Sequence, residues 1–74
     1  NVRANSFSAI SDSVLFEGVT VGRHARVRRA IVDKNVFIEP GAEVGFDAER
    51  DRARGYTVTD SGITVVPKLT VVSK

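Results

Sequence analysis

The sequence predicts an all-β chain wound as a three-sided parallel solenoid, and two observations carry that reading. Sliding the 74 residues against themselves by 17 positions aligns "ANSFSAISDSVLFEGVT" (4–20), "VGRHARVRRAIVDKNVF" (21–37) and "IEPGAEVGFDAERDRAR" (38–54). Apolar anchors then fall at 4, 10, 15, 21, 27, 32, 38 and 44, a spacing of six, five, six. A helix needs apolar residues three or four apart, and a half-buried hairpin sheet needs strict alternation; the spacing matches neither. Three short edges per repeat satisfy it, each pointing its anchor and the residue four places later inward.

The columns agree in chemistry. Ala4, Val21 and Ile38 fall together, as do Ser8, Ala25 and Ala42, then Ile10, Val27 and Val44, then Val2, Val19 and Val36. Val14 with Ile31 and Leu15 with Val32 complete the first two blocks. The third block keeps the pattern to Val44 and then breaks into "GFDAERDRARG". One domain over 1–74 is therefore expected, with about two and a half coils over 2–45, a charged crossover over 46–55 and a β cap over 56–72. In that cap "YTVT" and "ITVV" flank the turn signal "DSG", which predicts a hairpin. Pro67 ends the second run because it lacks a donor, and "KLTVVSK" adds one more short strand. A cap is needed because stacked repeats bury their core against neighbours.

Composition narrows the setting. A chain this short buries only about 60% of its unfolded surface, and with no Cys it has neither a disulfide nor a thiolate metal site. Beginning at Asn1 in mid-pattern, it reads as a piece of a longer protein. No apolar run approaches the roughly 18 residues of a membrane span, and none resembles a signal peptide; a cytoplasmic setting is the expectation. Net charge is only +2, yet residues 21–35 carry Arg23, Arg26, Arg28, Arg29 and Lys34 against Asp33 alone. The spacing places these cations on outward corners, where they can present charge to anions. In the same stacking Glu43 falls over Arg26 and Glu17 under Lys34. No aromatic interleaves this stretch, which argues against nucleic-acid binding.

The pattern "aliphatic, small, two variable, small, variable" resembles the hexapeptide repeat of left-handed parallel β-helices. The left hand is implied by that resemblance and departs from the usual right-handed crossover. Such solenoids serve γ-class carbonic anhydrases, acyltransferases and sugar nucleotidyltransferases. The first needs three His ligands, and this chain has one. The second uses a His as general base; His24 is available, but it points outward between arginines, and a surface or anion-contact role is the stronger reading. There is no glycine-rich phosphate loop and no Ser–His–Asp grouping.

The ordered set "VGR…RRAIVDKN…PG…VG.D.E.D", then "SGI.VV.K", resembles the C-terminal domain of the glucose-1-phosphate adenylyltransferase family over about residues 2–66. The resemblance implies a nucleotidyltransferase parent that makes ADP-glucose and pyrophosphate from ATP and glucose 1-phosphate, for glycogen or starch synthesis. It implies a separate N-terminal catalytic domain requiring Mg²⁺, with no catalytic residue, metal or cofactor in this segment. Partners implied are that domain, the other subunits of a homotetramer and phosphorylated metabolite effectors, with neither nucleic acid nor membrane. Two effector-site cations carry over: the one after "I-[IV]-D", here Lys34, and the one just after the "SGI" strand, here Lys68. Arg29 is a weaker third candidate. The rival readings are an acyltransferase fragment with His24 as base and a solenoid with no ligand.

Overall fold

The computed structural model describes residues 2–74; Asn1, first residue of the expected domain, lies outside the described residues. Strands of two or three residues succeed one another around three sheets: β1 (Arg3–Ala4), β2 (Ala9–Ser11), β3 (Val14–Leu15), β4 (Thr20–Val21), β5 (Arg26–Arg28), β6 (Ala30–Val32), β7 (Phe37–Ile38) and β8 (Glu43–Val44). Then come the helix α1 (Ala48–Ala53) and strands β9 (Thr57–Val58), β10 (Thr64–Val66) and β11 (Val71–Val72). The sheets run β1-β4-β7-β11, β2-β5-β8 and β3-β6-β10-β9. Every pair is parallel except β9 with β10, and successive rows through β8 step by 17 residues, as in Ala4 with Val21 and Val21 with Ile38. The protein is thus all-β in its sheets, and the predicted 17-residue register is the observed one.

The core is the set of predicted columns. Val21, Val27, Val32, Ile38 and Val44 are all buried, while Arg23, Arg28 and Arg29 are exposed. Ala25 and Ala42 fill the small positions and Val19 and Val36 the β-branched ones. The rule that the fourth residue after an anchor points inward fails on one side. After Val27 it is Ala30, three places on, that is buried, and Ile31 lies half-exposed. The reason is Arg29, whose backbone takes a left-handed φ of 49° and turns the corner one residue sooner. Asp12, one row below, does the same at 47°. That sharper corner is why this side is five residues long and the others six. The other two corners are also left-handed columns: Phe7, His24 and Gly41 at one, Gly18, Asn35 and Leu69 at the other.

After Val44 the chain leaves the stack. Residues 46–55 are expected as a charged crossover, and they hold α1. Asp47 caps it, its Oδ1 accepting from the N–H groups of Glu49 (3.1 Å) and Arg50 (3.2 Å). Glu49 and Asp51 in the first turn and Arg52 in the last suit the peptide dipoles. The helix ends as Gly55 N–H donates to Arg52 C=O and Tyr56 N–H to Asp51 C=O, with Gly55 at φ 90°. Residues 56–72 are expected as a β cap. The hairpin forms, as β9 against β10, but β10 and β11 extend the parallel sheets themselves, beside β6 and β7.

Asp51 on α1 and Arg54 just past it cover the outer edge of β8. Asp51, buried, accepts from the Gly45 N–H at 3.1 Å, and Arg54 donates to Glu43 C=O at 3.3 Å and to Ser73 C=O at 2.6 Å. These two side chains satisfy backbone groups along the outer edge of β8, which otherwise present a bare strand edge. Gly45 is required there: at φ 86°, a Cβ would fall 1.7 Å from the Arg28 carbonyl oxygen.

Candidate effector site

Lys34 follows β6 in the corner leading to β7, and Lys68 follows β10 in the corner leading to β11. Because Val32 pairs with Val66, the two lysines occupy equivalent places on adjacent rows. The Leu69 N–H donates to the Lys34 carbonyl at 3.0 Å and locks the corners together. Both side chains are exposed. Adjacent rows lie about 4.8 Å apart, so the two exposed lysines stem from backbone one rung apart. Pro67 stands just before Lys68, and its carbonyl accepts from Thr70 Oγ1 at 2.6 Å, which fixes the turn that carries the lysine.

The sequence separation of these lysines is 34, twice the repeat, so the 17-residue alignment alone does not pair them. They meet because residues 46–63 leave the stack and β10 re-enters beside β6. Glu17 lies in the same column one row below Lys34; its carbonyl accepts from the Asn35 N–H at 3.0 Å. Arg29 is elsewhere: it sits at the opposite end of β6, and its guanidinium donates to the Ser61 carbonyl of the β9–β10 turn. The structure therefore unites two of the three candidate cations and separates the third.

His24 is exposed at another corner, between β4 and β5. Its ring stacks on Phe7 with centroids 5.3 Å apart and planes within 7°, and the Arg23 guanidinium lies 5.1 Å from the Phe7 ring. No carboxylate bonds to it among the described residues, so nothing there orients it as a base. On the β2-β5-β8 face Arg26 pairs with Glu43, as the stacking predicts. Arg26 and Arg28 both lie over the Phe46 ring, at 4.7 and 4.4 Å. Sequence reading missed Phe46, although the 17-residue step from Arg29 marks it as the next outward corner residue.

Three parallel sheets traversed in turn at a 17-residue step, with small and aliphatic residues alternating inside, define a hexapeptide-repeat protein. The family model described as "GlmU-like, C-terminal hexapeptide" matches residues 1–66, and the chain belongs to that family. Its relatives are more particular. It is 57% identical over 68 residues to a glucose-1-phosphate adenylyltransferase of Deinococcus deserti, covering 92% of this chain and 16% of the relative. Similar proteins of the same name come from Bifidobacterium adolescentis, 60% identical over 72 residues (97% of this chain, 17% of the relative), and Trichlorobacter lovleyi, 56% over 66 (89% and 16%). The chain thus spans about one sixth of the length of these curated relatives. Among the described residues, no helix is long and apolar enough to cross a membrane.

Proposed function

We propose that this chain is the regulatory and oligomerisation domain of a glucose-1-phosphate adenylyltransferase, wound as a left-handed parallel β-helix. The match to a hexapeptide-repeat family model supports that winding. The parent forms ADP-glucose and pyrophosphate from ATP and glucose 1-phosphate, using Mg²⁺ in a catalytic domain outside this chain. It works as a cytoplasmic homotetramer under the control of phosphorylated metabolites. Within this segment Lys34 and Lys68 bind the effector, and the observation that carries the reading is their in-register position on adjacent rows of one exposed corner.

A charge-assisted hydrogen bond contributes about 1.5–3 kcal/mol, and allosteric coupling totals about 1–3 kcal/mol. One cation therefore holds most of the effect. In the full-length protein, Lys34→Ala should raise the activating effector concentration by roughly an order of magnitude and leave turnover without effector nearly unchanged. An unmoved activation curve, or loss of basal turnover, sinks the assignment.

A further inference from the structure

The cations of residues 23–34 divide between two sides of the molecule, and the effector reading uses only Lys34. Arg26 and Arg28 project from β5 onto the outer face of the β2-β5-β8 sheet, with Arg23 and Arg29 at the flanking corners. Phe46 holds both face arginines by its ring, at 4.7 and 4.4 Å, so their guanidinium groups are oriented before any ligand arrives. The face already accepts one carboxylate: Glu43, in register with Arg26, forms an ion pair with it. Arg28 has no counterpart. Its register partner on β2 is Ser11, and the residue beside it after Val44 is Gly45, which has no side chain. No ion pair to Arg28 exists among the described residues.

We propose that this face docks an extended acidic segment of a partner protein, with carboxylates at alternate residues meeting Arg28 and the remaining donors of Arg26. The match is one of period. Two outward residues on one strand stand about 6.6–6.8 Å apart, and so do alternate side chains of an extended peptide laid alongside. A guanidinium is a planar fork suited to carboxylate. Single-stranded nucleic acid is disfavoured because it needs free aromatic faces for its bases. Here guanidinium groups lie over Phe46, and His24 covers Phe7.

The test is fluorescence anisotropy on the full-length protein at low salt with two labelled octapeptides of identical composition. One alternates Glu and Thr; the other carries its four Glu residues in one block. The alternating peptide should bind about tenfold more tightly, and Arg28→Ala should remove about tenfold of that affinity. Arg28→Lys, which keeps the charge and loses the fork, should fall between. Equal binding of the two peptides, no binding of either, or an unchanged affinity in both Arg28 variants overturns the proposal. So does an oligothymidylate that binds as tightly as the alternating peptide.

Discussion

Asp51 and Thr64 are joined inside the protein: the Thr64 hydroxyl donates to Asp51 Oδ2 at 2.9 Å, and both residues are buried. The same oxygen accepts from the Gly45 N–H. One carboxylate oxygen therefore ties the end of β8, the helix α1 and the start of β10 into a single unit. Asp51→Ala leaves a partly buried N–H and a buried hydroxyl without their acceptor and should lower stability by about 3 kcal/mol. Asp51→Asn keeps an acceptor oxygen in place and should cost about 1 kcal/mol. Denaturant titration of the two variants checks the order; equal losses would mean that the charge matters and the acceptor does not.

Two glycines with similar φ values separate strain from clash. Gly55, at φ 90°, has open space where a Cβ would stand, whereas at Gly45 the Arg28 carbonyl is in the way. Gly55→Ala should cost about 1 kcal/mol, from the left-handed backbone alone. Gly45→Ala adds a clash with backbone that has no freedom to retreat, and should cost about 3 kcal/mol or more. Thermal unfolding of both variants measures the difference.

Lys68 should mirror Lys34. Since the two stand at equivalent places on adjacent rows, Lys68→Ala should also raise the effector concentration by about tenfold, and the double variant should be less than additive. Arg29→Ala should leave the activation curve in place, because its side chain is engaged with the Ser61 turn at the other end of β6. Effector titrations of the four variants decide this; a shift in Arg29→Ala equal to that in Lys68→Ala would undo the pairing.

Burial pushes the Tyr56 phenol above its ordinary value of 10.0, with the Arg54 charge pulling it down and the Asp51 charge adding to the rise. The folded protein therefore holds this proton to a higher pH than the unfolded chain does. Stability from this source is complete below about pH 10 and is lost as pH climbs through the raised folded value. The melting temperature should fall across that window, and Tyr56→Phe should flatten the fall. A parallel decline in the variant would assign the alkaline loss to other groups.

The sheets were legible because the inward residues repeat at a fixed step and are nearly all aliphatic or small. The five-residue side misled by one position: nothing in "RRAI" says that Arg29, and not Ala30, takes the left-handed corner. Asp51 was illegible because a carboxylate in a run of alternating charges reads as solvated, and its two donors lie on other elements. The lysine pair was half legible. Each residue stood out by its context, but their adjacency depends on where β10 rejoins the stack, which no local pattern states. Phe46 bore the period and was passed over inside a charged segment.

Thr64 pairs with Ala30, 34 positions back, where Val14 and Ile31 on the preceding row are 17 apart. The departure over α1 and β9 thus adds one complete repeat length to the chain between neighbouring rows. An insertion or deletion there leaves the stack intact so long as β10 still enters with Thr64 beside Ala30. Doubling the span between paired rows costs only about 0.6 kcal/mol of closure entropy, so a whole-repeat change of length is thermodynamically light. A change that shifts β10 by a single residue against β6 is not, because it turns Thr64 and Val66 outward and Val65 inward. Removing residues 47–63 together would keep that register, but it would also take away Asp51 and Arg54 and so leave the edge of β8 bare.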